Sequence, residues 1–368
     1  MRLGVIGDPH LGCTIYTDRR ASDFSQKFNA AVEGMLARKV DGVAILGDFF
    51  DSSAYRRNID SFASRLSEVA PSLLKLKDDD IPVFAIAGNH EYGRGRNAGE
   101  LRVLHDLGAL TFLENGTAEF GDHRIVGISW KAEAESLRDA LSRLGPPSQS
   151  SILLLHQFCG GSRFVPSHIA DIGRTDLEGW PAVFTGHHHQ YEDLGYAVAP
   201  GSLEVHTASE IGDKGYCIYD TEDGTHEFVV LPPSRVIRYT EMDGSGLSAK
   251  EFQEMLGGWI EENAENGAIL ILKVTGTLAR DRSSDVRFGM LRSRGLEKGC
   301  LKVYFSGGLE DPVRTIPEIR AALNLQEFLG RRFGPRAEDA IRTIESLREK
   351  GDAFAMDLIA DILNRGEA

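Results

Sequence analysis

The chain's 368 residues, 42% hydrophobic and 26% charged, can bury a sizeable core and suggest two or three domains, while a formal net charge of −14 argues against wrapping nucleic acid with the whole surface. No apolar run reaches the roughly 18 residues of a membrane span, and the N-terminus enters a strand-like pattern with no secretory signal, so a membrane protein is excluded and a cytoplasmic location expected. Cys13, Cys159, Cys217 and Cys300 form no CxxC pair, which excludes a disulfide framework and a zinc ribbon.

In chain order, "LGVIG" reads as a strand and is followed by Phe24, Phe28, Val32, Met35 and Leu36 at helix spacing. "GVAILG", a helical stretch from about Asn58 to Lys77, and "PVFAIAG" continue the alternation. Further apolar runs stand at "RIVGISW", "SILLLHQ" and "AVFTGHH". This pattern predicts an α/β fold with buried sheets. "KGYCIYD" and "HEFVVL" have no helix between them, so one sheet is expected to be mixed. Pro232-Pro233 marks a boundary. After it, "RVIRYTEM", a helix opened by the capping box of Ser248 and Glu251, "AILILKVTG" and "CLKVYFSG" read as a small α+β unit. From about Asp311 the pattern is helical only. The expected divisions are 1–233, 234–308 and 309–368.

Chemistry-bearing residues sit just past the apolar strands: Asp8 and His10, then Asp48 with Asp51, then Asn89, His90 and Glu91, then His156, then His187 and His189. Open α/β sheets place their binding sites at these carboxyl ends. In extended chain, residues i and i+2 face the same way, so Asp8 and His10 are expected to converge, as are His187 and His189, with His188 pointing elsewhere. A single His or Asp at a strand end is ordinarily a cap or a solvated loop residue, and His105, His123, His168, His206 and His226 are read so. Five such ends together point to a metal centre. Its mixed carboxylate, amide and imidazole donors favour Mn²⁺, Fe or Zn over Ca²⁺ or Mg²⁺. Cys13 and Cys159, each three residues after a proposed ligand, read as small buried residues.

The blocks D-x-H, G-D-x-x-D, G-N-H-E, a strand-end His and G-H-x-H, in this order, resemble the calcineurin-like metallophosphoesterases. "GDFFDSS", "APGSLE" and "GDKGYCIYD" are similar to the SbcD-type nuclease subunits of double-strand-break repair complexes, over roughly residues 1–230. The resemblance implies a two-sheet sandwich flanked by helices, a small α+β cap and a C-terminal helical segment. It also implies two divalent ions, Mn²⁺ foremost with Fe or Zn as alternatives. One would be held by Asp8, His10, Asp48 and His189, the other by Asp48, Asn89, His156 and His187, with Asp48 bridging. His90 would stand beside the scissile phosphate without binding metal. Many relatives have His where this chain has Asp51, so a second phosphate-side histidine does not carry over.

Two arginine-bearing loops follow metal motifs and are expected to rim the site. In them Arg56, Arg57, Arg94 and Arg96 would meet DNA phosphates, and Tyr55 and Tyr92 would stack on bases. Residues 337–366 give two amphipathic helical stretches that need another surface, either the chain's own cap or, as the resemblance implies, the coiled-coil base of an SMC-like, SbcC-type ATPase. A homodimer through the second helix, around Phe62, Leu66 and Leu73, is expected unless those residues are core. The function so implied is a metal-dependent DNA exo/endonuclease in a nucleoid-associated repair complex. The alternatives are a small-molecule phosphodiesterase or phosphoprotein phosphatase on the same site, and a DNA-end-binding scaffold with incidental hydrolysis.

Overall fold

The structure, a computed structural model, describes residues 1–51, 62–92, 97–210 and 212–312. The chain opens β1 (Arg2–Ile6), α1 (Ala21–Ala37), β2 (Gly42–Ile45), α2 (Phe62–Asp78), β3 (Val83–Ala85), α3 (Asn89–Tyr92), α4 (Gly99–Asp106), β4 (Thr111–Phe112). It continues β5 (Asn115–Phe120), β6 (His123–Ile128), α5 (Ala134–Arg143), β7 (Ser151–His156), β8 (Ala182–Gly186), β9 (Glu192–Asp193), β10 (Val198–Ala199), β11 (Lys214–Asp220), β12 (His226–Leu231). The last part runs β13 (Ile237–Asp243), α6 (Ala249–Asn263), β14 (Ile269–Thr275), α7 (Phe288–Glu297), β15 (Lys302–Gly307).

Two six-stranded sheets form, in the orders β12-β11-β1-β2-β3-β4 and β5-β6-β7-β8-β10-β9. Both are mixed: β11 lies antiparallel to β1 and to β12, and β5 antiparallel to β6. The central strands are parallel and apolar on both faces, and their alternate residues feed different cores. Val43 and Ile45 of β2 pack with Phe28, Met35, Val69 and Leu73 of α1 and α2. Ala44 and Leu46 instead meet Phe120, Ile152, Leu154 and Phe184 of the second sheet. On that sheet's outer face Val126, Leu153, Leu155 and Val183 pack with Leu137 of α5. This period-2 division explains why "GVAILG" and "SILLLHQ" read as nearly unbroken apolar runs. Parallel strands joined by helices align their carboxyl ends on one side, which is what brings the motifs together.

Several elements differ from expectation. The helix before Lys77 is described from Phe62, since 52–61 lie outside the described residues. Leu73 is buried in the core and the partly buried Phe62 and Leu66 pack against it, so this face of α2 is used within the chain, the alternative left open for it. The unit after Pro233 is a parallel β13-β14-β15 sheet with a helix in each connection, rather than separated strands and helices. Short α4 and α5, edge strands β4, β5 and β9 and the two-residue β10 were not evident from periodicity, because they span only two to ten residues.

By contact density the chain divides into two units. One comprises Met1–Asp243, Glu251–Thr275 and Arg287–Gly308. The other comprises Gly244–Lys250, Gly276–Val286 and Leu309–Ala368. Described pieces of the second are tied by backbone hydrogen bonds from Gly246 N to Thr277 O (3.0 Å) and from Glu310 N to Gly276 O (2.9 Å). The expected C-terminal helices, residues 313–368, lie outside the described residues. No described helix is long and apolar enough to cross a membrane.

Gly215 in β11 tests the packing. A Cβ there would overlap the backbone carbonyl of Val229 on the paired strand, and a hydrogen-bonded strand cannot move aside cheaply. Gly215→Ala is expected to destabilise the protein by about 1–3 kcal/mol, read as a lower urea midpoint.

Candidate metal centre

The strand ends do not simply run on in extended form. Asp8 (φ 44°), His10 (φ 46°), Asp48 (φ 47°) and His187 (φ 77°) all have left-handed backbones. Non-glycine residues rarely sit there, at a cost on the order of 1–3 kcal/mol each. The extended i, i+2 geometry is therefore not what brings Asp8 to His10 or His187 to His189. Sharp turns aim each side chain separately. Cross-links hold the turns: His10 N donates to Asp48 O (2.9 Å), His187 N to Asp8 Oδ1 (2.9 Å) and His90 N to Asp48 Oδ1 (2.8 Å). Gly88 packs so closely on Asp48 and His156 that no Cβ fits.

Four donor groups result among the described residues, two of them (His10, Asp51 and His206; His189, His206 and Glu210) on the flank of the site and two overlapping at Asp48. Asp8, His10, Asp48 and His189 bring ligand atoms within 4.8 Å of one another, and so do Asp48, His156 and His187. Asn89 joins the second group, its Oδ1 lying 3.1 Å from His156 Nε2. Asp48 belongs to both.

The donor chemistry fits a cation. His156 Nδ1 donates to Leu46 O (2.6 Å), which directs Nε2 at Asn89 Oδ1 (3.1 Å) and Asp48 Oδ2 (3.4 Å). His10 presents Nδ1 to Asp51 (3.3 Å) and His189 donates Nδ1–H to Glu210 (2.9 Å), so their Nε2 atoms face each other at 3.0 Å. Two ring nitrogens at that distance either share a proton or, with both lone pairs directed inward, suit a cation between them. Asp8 Oδ2 is buried without a hydrogen-bond partner. Carboxylate or carbonyl support of the far ring nitrogen is how metal-binding histidines are oriented.

The electrostatics agree. Burial, then the neighbouring His206, holds His10 at about 3, and burial with the neighbouring His156 holds His187 at about 3. Both imidazoles are thus neutral and ready to coordinate. Burial opposes charge on His156 too, but the carboxylates of Asp48 and Asp8 outweigh it and lift it to about 9. A proton there occupies the place of a metal.

Three buried carboxylates support the ligands. Glu91 accepts from the backbone N–H groups of Asp48 (2.9 Å), Gly88 (2.8 Å) and Phe50 (3.0 Å), fixing the loop that carries Asp48. Burial, then the charge of Asp48, raises it to about 7. Glu210 also accepts from His206 N (3.0 Å) and Thr207 Oγ1 (2.9 Å). Asp51 faces His10 Nδ1 (3.3 Å), His90 Nδ1 (3.3 Å) and His206 Nε2 (3.5 Å). Burial pushes its carboxyl up, and the three imidazoles more than reverse it, holding it well below the usual range.

All seven expected ligands are brought together, and His90 lies beside them lining the same cleft. His188 is in none of the groups, as expected. His206, read from sequence as a cap or loop residue, is instead drawn into the centre, its ring 4.6 Å from that of His10. Neither it nor Glu210 was recognisable, because they sit in an irregular segment after "APGSLE" with no strand end to mark them. Cys13 and Cys159 are buried and belong to none of the donor groups found among the described residues. Burial pushes the Cys159 thiol up to about 12. Tyr92 gives its hydroxyl to Glu114 (2.8 Å) and its ring packs against the core. Tyr55, Arg56, Arg57, Arg94 and Arg96 lie outside the described residues.

A buried cluster of carboxylate, imidazole and amide donors at the carboxyl ends of two facing sheets is the site of a metal-dependent phosphoesterase. Residues 1–191 match the calcineurin-like phosphoesterases, and the chain belongs to this family. It is similar to the DNA double-strand break repair protein Mre11 of Methanosarcina mazei, 27% identical over 313 residues, 80% of this chain and 48% of that protein. It is also similar to the Mre11 of Sulfurisphaera tokodaii, 32% identical over 158 residues, 41% of this chain and 39% of that protein. The chain thus spans about half or less of the length of these curated relatives. Among solved structures it is similar to the protein TT1561 of Thermus thermophilus, with 13% identity and a TM-score of 0.41, covering 61% of this chain and 96% of that one.

Because both overlapping donor groups contain Asp48, Asp48→Ala is expected to lose all bound divalent metal by elemental analysis, and retention of one full equivalent contradicts the sharing. Loading must also displace the His156 proton. Apparent metal affinity should therefore rise with pH, by up to about tenfold per unit, and level off above about pH 9. Calorimetry at pH 7.5 in buffers of different ionisation enthalpy should show about one proton released. Binding with no buffer dependence rules out a protonated ligand.

Proposed function

We propose that the chain is a two-metal phosphodiester hydrolase acting on DNA, the nuclease subunit of an SbcCD-type complex that processes DNA ends. The observation that carries this is the pair of donor groups sharing Asp48, with the His90 imidazole beside them lining the same cleft. The similarity to proteins named for DNA double-strand break repair supports DNA as the substrate. We assign one ion to Asp8, His10, Asp48 and His189 and the other to Asp48, Asn89, His156 and His187, with Mn²⁺ as the ion and Fe or Zn as alternatives. Two ions so held would supply Lewis-acid stabilisation to the phosphoryl group during an in-line displacement.

The protein's own groups do the rest. His90 Nδ1 faces Asp51 (3.3 Å), which orients the ring within the cleft that a phosphate would enter. Burial lowers the proton affinity of His90, but Asp51 and then Asp48 outweigh it and raise it above the usual imidazole range, which favours the protonated ring. It can neutralise phosphate charge or protonate the leaving oxygen. Glu91 keeps Asp48 in place while charge redistributes, since it holds that loop through three backbone donors.

For the remainder we propose a nuclease domain over 1–233, a DNA-capping unit over 234–308 and a partner-binding segment over 309–368. The partner is an SMC-like, SbcC-type ATPase, the complex contains two copies of this chain, and it works at the nucleoid in the cytoplasm. The deciding experiment is Mn²⁺-dependent cleavage of linear duplex and hairpin DNA beside a generic phosphodiester, with and without the ATPase. Hydrolysis of the generic diester alone would make the chain a small-molecule phosphodiesterase, and DNA binding without hydrolysis a scaffold. His90→Gln is expected to retain metal and DNA binding while cleavage falls by a factor on the order of 10²–10⁴. Loss of metal in this variant contradicts the role given to His90.

A further inference from the structure

The metal cleft has two unlike walls. One carries Asp48, Asn89, His90 and His189; the other carries Phe158, Phe164, Val165 and Ile169, around a volume of about 500 Å³. The apolar wall comes from the connection between β7 and β8 and is seated on the histidines that follow β8. Phe158 lies against His187 with ring centroids 4.0 Å apart. Phe164 lies against His188 at 5.3 Å, their planes 30° apart. The middle histidine, which holds no place in the donor groups, thus backs an aromatic ring at the edge of the cleft.

This wall is built rather than incidental. Buried Glu192 accepts from Ser162 Oγ (2.5 Å) and from Arg163 N (2.9 Å), pinning the turn just before Phe164. Phe158 N donates to Asp171 (2.9 Å) at the other end. Yet Phe164 and Ile169 each remain 43% exposed, an apolar surface left open beside a centre that binds a charged group. The Arg163 guanidinium carbon lies 4.8 Å from the centroid of Phe164. A planar cation on an aromatic face marks a surface that accepts flat π systems, and a nucleobase is one.

We propose that Phe164, with Phe158 and Ile169 beside it, is a stacking platform for the nucleobase next to the scissile phosphate. The inference rests on the DNA-hydrolase reading above and adds a base-contacting residue to it. A base inside a duplex has both faces covered by its neighbours, so the contact forms with a base that has been unstacked. Stacking tolerates any base because every base has a flat face, so Phe164 contributes binding and not sequence choice. Arg163, which also pairs with Glu192 at 3.5 Å, gives up the ring to the base.

The test crosses the ring with the base. Full-length protein with Mn²⁺ is assayed on a single-stranded oligonucleotide whose cleavage site has been mapped, and on the same strand with an abasic residue beside that site. In the wild type the abasic residue should raise KM on the order of 10- to 100-fold. Phe164→Ala should raise KM on the intact strand by a similar factor, and the abasic residue should then cost little more. Phe164→Trp should restore the wild-type pattern, with metal content equal in all three proteins. An abasic penalty of the same size in wild type and Phe164→Ala overturns the platform while leaving the DNA-hydrolase reading standing. Absence of any DNA cleavage by the wild type, with bis(p-nitrophenyl) phosphate still hydrolysed, overturns both.

Discussion

The concentration of buried charge around Asp48 is the constraint on which this structure turns. Asp8 and Asp48 are wholly buried within one donor group, and like carboxylates in a low-dielectric interior repel each other and are poorly solvated. The buried Lys214 lies at the edge of the centre, bonded to His189 O and Glu210 Oε2, and its charge acts on Asp8. Further neutralising charge comes from a bound cation or from protons on the imidazoles, and the two compete for the same lone pairs. The centre is therefore in effect a proton–metal exchange site. His156 shows this most directly, being drawn up to about 9 by the same carboxylates that would share a metal with it.

Such a centre requires rigid framing, and the two-sheet core provides it. Four ligand-bearing residues hold left-handed backbones that cost stability locally, so the surrounding strands must over-determine them. β1 and β2 do so through paired backbone hydrogen bonds that continue past their ends, from His10 to Asp48 and from Leu11 to Phe49. Glu91, Asp51 and Glu210 then form a supporting layer, each carboxylate engaged by the backbone or the far ring nitrogen of a residue in the centre. The roles are divided by position. The ligands face the cation, and the supporting acids fix orientation and tautomer.

How much of this was legible in the sequence depends on where each residue sits. The ligands stand one to four residues past an apolar strand or, like His156, at its last position, so strand periodicity exposed them. The buried two-face pattern of "GVAILG" and "SILLLHQ" exposed the sheets for the same reason. The left-handed turns at Asp8 and His10 were invisible, because neither residue type demands positive φ and the i, i+2 spacing suits extended chain as well. His206 and Glu210 were hidden for another reason. They act through loop geometry, reaching the centre by way of His189 and Asp51 rather than from a strand. The role of α2's apolar face was ambiguous in sequence, since core and interface residues share one pattern; the burial of Leu73 resolves it toward the core.

A net charge of −14 sets the terms on which this chain can meet a polyanion. Repulsion from exposed acids is screened beyond about 8 Å at physiological ionic strength, so the approach of DNA is hardly opposed at long range and is opposed close to the surface. Attraction must then be short-ranged and concentrated. On the proposed reading a loaded metal centre would supply one part, as a local positive charge on an otherwise acidic molecule. The aromatic wall would supply the other, because stacking depends on contact area and is indifferent to net charge. A protein that held DNA by a broad basic surface would bind wherever the two touched. One that held it by a cation cluster and a half-exposed ring would select the place where a phosphate and an uncovered base occur together, and its acidic surface would discourage binding anywhere else.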